Sequence, residues 1–186
     1  MAIEPSHLLF TVDEYEALGQ IGFFGFDRRL ELIEGEIFEM TPIGPDHGGC
    51  VVILTSLCIK RLGDRAAVSA QGAVVLGNLS EPQPDLMVLA GTVERYRHRH
   101  PRAEDVLLLI EVSDSTLRFD RKVKLPAYAR AGVVEVWIVD LKGTAVEIHR
   151  RPTPEGYAFT ERRRRGDTVS PEAVPDLVLT VDEILG

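Results

Sequence analysis

The stretch Val106-Leu107-Leu108-Leu109-Ile110-Glu111-Val112-Ser113 constrains the fold more than any other. An unbroken aliphatic run of this length reads as a strand covered on both faces, which demands a sheet with layers above and below it. Side chains alternate along a strand, so Leu107, Leu109, Glu111 and Ser113 are expected on one face and Leu108, Ile110 and Val112 on the other. Glu111 then shares a face with two leucines. A carboxylate in such a place needs a cation, a metal or hydrogen-bond donors to compensate it.

The other periodicities supply the layers. Thr11-Val12-Asp13-Glu14 has the form of a capping box and predicts a short helix to about Gly19. Arg29–Ile33 and Glu36–Met40 read as strands joined at Glu34-Gly35, where Gly35 is free to take positive φ. Asp46 is the expected cap of a helix to about Leu62, with Val51, Leu54, Cys58 and Leu62 on one face and His47 one turn before them. Short strands are expected at Ala66–Ala70, Ala73–Leu76 and Asp85–Leu89. A helix should run from Asp120 to Ala131 with Gly132 as its stop, and Pro126 should bend it or delay its start. Val133–Val139, Thr144–His149 and Tyr157–Arg163 read as successive strands, and Thr180-Val181-Asp182-Glu183 as a second capping box. Trp137 and Phe38 read as core. The pattern is α/β (α+β), and 186 residues with no linker or repeat fit one domain over 1–186.

Charge and cysteines narrow the function classes. A net charge of −8 excludes a non-specific binder held by a general positive field. It leaves room for local cationic clusters, and there are two, Arg95–Arg102 and Arg162–Arg165. No apolar run is long enough to span a bilayer, and Met1–Pro5 lacks the features of a secretory leader. Cys50 and Cys58 lie about 12 Å apart along one helix, at ~1.5 Å per residue. They are expected to be buried thiols in a reducing cytoplasm.

Asp85, after Pro84, opens a strand with Met87 and Leu89 on its face. The ordinary reading is a turn aspartate. Paired with Glu111 it gains another, because two acids at core strands repel unless one keeps a proton or a cation lies between them. A hard cation, Mg²⁺ or Mn²⁺, takes oxygen ligands and is commonly held by one or two carboxylates, waters and phosphate oxygens. Phosphodiester hydrolysis built on such an ion usually adds a lysine to stabilise developing charge. Lys122 and Lys124 are the candidates. Asp120, Lys124 and Tyr128 share a helix face, whereas Lys122 is rotated by about 200° from Asp120.

Pro84-Asp85, Glu111-Val112-Ser113, Asp120-Arg121-Lys122-Val123-Lys124, Tyr128 and Gly132 to Asp140 together resemble the Uma-two family of endonucleases, of the PD-(D/E)xK, restriction-endonuclease-like superfamily. Glu31 to Glu36 and Pro45 to His47 match the family's N-terminal pattern, and the resemblance runs from about Thr11 to Glu183. It implies a mixed sheet flanked by helices, with an N-terminal hairpin and C-terminal antiparallel strands as additions. It also implies a divalent metal at the sheet edge, Asp85 and Glu111 as its ligands, and DNA as substrate. The superfamily pattern places lysine two residues after the acid, where this chain has Ser113. Lys124 from the following helix is the implied replacement, with Asp120 on the same face. Glu31 is the implied upstream acid, and His47 is either a site residue or a core histidine bonded to a carbonyl.

Arg95, Arg97 and Arg99, interleaved with Tyr96, either touch DNA backbone or form a solvated loop that offsets local acidity. His98 and His100 alone do not make a zinc site. A nuclease cutting both strands often acts as a symmetric dimer, so a homodimer is one expected assembly. Two further readings stay open: a nuclease-fold binding or regulatory module with a weak or dead centre, favoured by Ser113 and the acidic charge, and a glycosidase-like acid pair, disfavoured by the lack of aromatic platforms.

Overall fold

The aliphatic run becomes the third strand of a six-stranded sheet, and its two faces divide the core. In the computed structural model, which describes residues 7–25 and 27–186, the sheet has the order β3-β4-β5-β6-β7-β8. These strands are Ala67–Ala70, Leu86–Leu89, Val106–Ser113, Glu135–Asp140, Ala145–Thr153 and Gly156–Arg164. Only β5 and β6 run parallel, which forces a crossover between them. The reading of Met1–Pro5 lies outside the described residues.

On one face Leu108, Ile110 and Val112 pack with Cys50, Val51, Leu54, Cys58 and Leu62 of helix α2 (Pro45–Leu62) and with Ile184 of helix α5 (Val181–Leu185). On the other, Leu109, Met87 and Val136 pack with Tyr128 and Val133 from the crossover. Trp137 is fully buried, while Phe38 is only half-buried and meets Phe119 edge-on at 5.2 Å.

A β-bulge corrects the expected alternation in β5. Leu89 pairs with Val106 and Val88 with Leu108, so Leu107 is an extra residue. Past it the phase reverses: Val106 joins the face of Leu109, and Leu107 packs with the α2 layer. Two other expectations change. Helix α2 begins at Pro45 on Gly44, without a side-chain cap, and Asp46 sits inside the first turn, where its charge favours the helix dipole. Ala73–Leu76 forms no ladder strand, because its amides go to separate partners: Val74 N–H to Pro82, Val75 N–H to Pro101 and Leu76 N–H to Ser80, with a single bridge from Val75 to Arg102.

The hairpin β1 (Leu30–Ile33) and β2 (Glu36–Glu39) turns on two residues of positive φ, Glu34 at 52° and Gly35 at 83°, as a tight hairpin turn requires. The predicted capping boxes form, Thr11 on helix α1 (Val12–Gln20) and Thr180 on α5. Short strands β9 (Thr168–Val169) and β10 (Leu179–Thr180) pair beside α5.

The crossover helix departs most usefully from expectation. It starts at Leu117 as α3 (Leu117–Phe119), opens into a π-helical turn at Asp120–Lys124, and closes as α4 (Leu125–Arg130). Pro126 has no N–H to donate back to Lys122, so the ladder is already broken where the wide turn forms. The stop is a Schellman motif: Val133 N–H donates to Tyr128 and Gly132 N–H to Ala129, with Gly132 at φ 82°.

The helix is tied to the far strands by charge. Arg121 forks onto Glu147 of β7, which Arg162 of β8 also meets at 3.2 Å. Burial alone would push the Glu147 carboxyl up. The flanking His149 and the charges of Arg121 and Arg162 outweigh it and hold the group down to about 2. Arg121 carries more of this than His149, whose Nε2 is 3.9 Å away, beyond hydrogen-bonding reach. A depressed carboxyl stabilises the fold above its unfolded value of about 4.5, and that contribution is lost as pH falls towards about 2. Glu147→Gln is expected to flatten acid unfolding in that window, removing on the order of 3 kcal/mol of pH dependence. Urea titrations of wild type and variant at a series of pH values across that window check it.

Candidate active site

β5, the crossover helix and the first hairpin bring their polar side chains to one cleft of about 170 Å³. Its lining includes Glu31, His47, Asp85, Glu111, Asp120 and Lys124. The wide turn delivers the helix residues. Asp120, Lys124 and Tyr128 are all buried, and all three point to the sheet.

Lys124 is the hub. Its Nζ lies 2.8 Å from Glu111 Oε1 and 3.1 Å from Glu31 Oε2. Tyr128 donates its hydroxyl to the same Glu111 Oε1 at 2.5 Å. Both contacts therefore fall on one oxygen of Glu111, and Oε2 takes none among the described residues. Asp85 is held similarly. Its Oδ2 accepts from Val112 N–H at 2.8 Å and from His47 Nε2 at 3.0 Å, and Oδ1 accepts nothing among the described residues. A carboxylate can only accept here, so the imidazole tautomer carries its proton on Nε2. The alternative for His47, a histidine bonded to a carbonyl, is replaced by a bond to a carboxylate, and its Nδ1 is buried without a partner.

Ser113 holds no cation. Its hydroxyl donates to Asp120 Oδ2 at 2.7 Å, and Thr116 donates to the same oxygen at 2.7 Å. Thr116 was not singled out from the sequence. Its spacing of four from Asp120 on one helical path is the signal that could have found it.

Five carboxylates, Glu31, Asp85, Glu111, Asp114 and Asp120, thus line one cleft with Lys124 and Arg29, and Asp114 is paired with Lys142 at 3.2 Å. Burial pushes the Glu111 carboxyl well above its usual range; Lys124 pulls it back, and Asp120, Asp85 and Glu31 raise it further. Burial likewise raises Asp120, against the pull of Lys124 and the two hydroxyls. Burial works against the Lys124 ammonium, but Glu111, Glu31 and Asp120 outweigh it and keep the lysine protonated above its ordinary range. The surplus negative charge has two outlets, a proton shared among the acids or a divalent cation. The donors fit a hard cation: Asp85 and Glu111 both line the cleft, and each has one oxygen that accepts no hydrogen bond among the described residues.

The arginines lie elsewhere. Arg95 and Arg99 both bond Asp105 at 2.7 Å and flank the Tyr96 ring. Arg97 has no ion-pair partner among the described residues and lines another hollow with His98 and His100. Arg162 is engaged by Asp140 and Glu147.

Comparison with known proteins follows the same geometry. The fold is similar to a crystal structure of a "putative nuclease belonging to DUF820" from Anabaena variabilis, with a TM-score of 0.74 and 16% identity over 95% of this chain and 97% of that one. At this identity the likeness is one of fold, and it agrees with the mixed sheet flanked by helices expected from the sequence. No curated protein matches the chain. The model of the Uma2 family, described as "Putative restriction endonuclease", matches residues 12–182. That span takes in the hairpin, the acid-bearing strand and the lysine-bearing helix, and the chain belongs to the Uma2 family.

Proposed function

We propose that this chain is a divalent-metal-dependent endonuclease of the PD-(D/E)xK type that hydrolyses DNA phosphodiester bonds, acting as a single domain in the cytoplasm. One observation carries the reading: a buried ammonium held between Glu111 and Glu31, beside carboxylate oxygens of Asp85 and Glu111 that the protein leaves open. Asp85 and Glu111 would hold Mg²⁺ or Mn²⁺. When bound, such an ion polarises the phosphoryl oxygen and makes water acidic enough to attack at neutral pH.

The chain's own residues do the rest. Tyr128 and Lys124 fix the Glu111 carboxylate through one oxygen, and His47 and the Val112 amide fix Asp85 in the same manner. Glu31 and Asp120 keep Lys124 charged. Its ammonium can then donate to the phosphoryl oxygens as negative charge grows on them, an effect largest in a cleft that excludes water. Ser113 and Thr116 orient Asp120 instead of supplying a cation. Of Arg95, Arg97 and Arg99, Arg97 is the one with no ion-pair partner among the described residues, and it would contact the phosphate backbone. A homodimer would present two clefts to the two strands. Cys50 and Cys58 are buried free thiols, and no helix among the described residues is long and apolar enough to cross a membrane.

The second reading, a nuclease-fold module that binds nucleic acid without cutting it, is favoured by one feature. The Lys124 side chain is 2% exposed and its charge is already met by two carboxylates. The deciding experiment is conversion of supercoiled DNA to nicked or linear forms. The nuclease reading expects conversion with Mg²⁺ or Mn²⁺ and none with EDTA. Metal-independent retention of DNA with no cutting under either ion would transfer the assignment to the binding module.

A further inference from the structure

We propose that Glu16, Glu81 and His100 form a Zn²⁺-class metal site that fastens the arginine loop to helix α1. Three separate parts of the chain meet there. Glu16 comes from α1, Glu81 from the segment that bridges to Leu32 of β1, and His100 from the irregular stretch between the 3-10 turns Val93–Tyr96 and Ala103–Asp105. One ligand atom from each lies within 4.8 Å of the other two. Among the described residues, no other group of three or more histidines, cysteines and acids converges so closely. The acids of the Glu111 cleft do not meet this criterion.

Proximity of acids is by itself no site, and Glu81 supplies the independent observation. Its side chain is 8% exposed, and its Oε2 is buried with no hydrogen-bond partner. Its Oε1 is 3.8 Å from His100 Nε2, too far for a hydrogen bond. The backbone fixes it in place, since the Glu81 amide donates to the Leu32 carbonyl at 2.7 Å. A buried carboxylate without donors is costly, and in native structures such groups take up a proton, are paired or coordinate metals. The two partners that could share a cation with it, Glu16 and His100, are both exposed and free to adjust. Ligand atoms around a tetrahedral Zn²⁺ sit roughly 3.3–3.5 Å apart, given metal–ligand lengths of about 2.0–2.2 Å. Side-chain rotations that move the Glu16 and His100 ligand atoms by roughly 1–1.5 Å would close the set from the 4.8 Å limit to that spacing.

The donor types choose the ion. An imidazole with two carboxylates suits zinc and its transition-metal neighbours better than Mg²⁺, which prefers oxygen alone. Three protein ligands leave the fourth position to water. The nearby guanidiniums oppose a cation only in part: Arg95 and Arg99 share the Asp105 carboxylate, Arg97 and Arg102 line the same hollow, and Glu16 and Glu81 supply the negative charge that faces them. Bound metal would join the loop that carries Arg95, Arg97 and Arg99 to α1 and to the segment behind β1, giving those arginines a fixed position.

The test uses the full chain without an affinity tag and Co²⁺ as a spectroscopic probe for Zn²⁺. Wild type and Glu111→Gln should each show one set of Co²⁺ ligand-field bands, displaced by Zn²⁺ and not by Mg²⁺. Glu81→Gln and His100→Ala should lose affinity by more than the ~10–100-fold that removal of an outer partner costs. Circular dichroism confirms that each variant is folded. If Glu81→Gln does not fold, His100→Ala decides, since that residue is exposed. The proposal is overturned if folded wild type binds no Co²⁺, if both ligand variants bind it unchanged, or if Glu111→Gln abolishes the bands and so places the probe in the other cleft.

Discussion

Lys124→Ala is expected to reduce metal-dependent DNA cleavage by about 10²–10³-fold, the scale of losing one preorganised donor to the developing charge. Lys122→Ala should stay within about twofold, since Lys122 is exposed and half a turn away. Lys124→Ala should also weaken the fold. Without the ammonium, Glu111 and Glu31 remain buried with no counter-charge, and breaking a buried pair from one side typically costs about 3–5 kcal/mol. Glu111 can take up a proton, which offsets part of that loss. Plasmid nicking and urea unfolding of the two variants side by side measure both effects. Wild-type cutting by Lys124→Ala would remove the lysine from the mechanism, and strong loss in Lys122→Ala would show that the opposite helix face carries the chemistry.

Glu111→Gln should abolish cleavage and also remove metal-induced stabilisation. An ion that binds only the folded state adds RT ln(1 + [L]/Kd), about 2.7 kcal/mol at a hundredfold excess over Kd. Thermal unfolding with and without Mg²⁺ should therefore separate for wild type and coincide for the variant. The pH dependence supplies an independent sign. The Glu111 carboxyl is raised, chiefly by burial, so the metal-free fold binds its proton more tightly than the unfolded chain does. That contribution is complete below the unfolded value of about 4.5 and is lost as pH rises through the folded value. Proton and metal compete for the carboxylate, so Mg²⁺ stabilisation should grow over the same rise. Glutamine, neutral throughout, should show neither trend. Equal Mg²⁺ stabilisation of both proteins would move the metal away from Glu111.

The sequence made the strand layers, the capping boxes and the grouping of Asp120, Lys124 and Tyr128 legible, because these rest on local periodicity. The grouping survived for a reason periodicity does not contain. An α-helical phase put the three on one face, and the wide turn at Asp120–Lys124, beside Pro126, is what carries them to the sheet. Leu107 was misplaced because a bulge is a property of two strands: only the pairing of Leu89 with Val106 reveals the extra residue. Ala73–Leu76 looks like a strand by composition, but its amides found separate partners at Ser80, Pro82 and Pro101. Glu81 carries no local sign of importance between Ser80 and Pro82. It becomes notable only when α1 and the loop of His100 close over it, a contact spanning 65 residues on one side and 19 on the other.

The separation of Lys124 from the strand it serves has a consequence for how the molecule opens. Were the ammonium two positions beyond Glu111 on the same strand, the crossover helix could lift away and leave the charges matched. Here the cation rides on the helix, and its counter-ions stay with β5 and the hairpin. Lifting the helix would split a dry ion cluster and detach the Arg121 fork from Glu147 at the same time. Opening this segment therefore breaks both sets of charges at once. Amide hydrogens along Asp120–Arg130 are expected to exchange as slowly as those of the sheet, which hydrogen exchange checks.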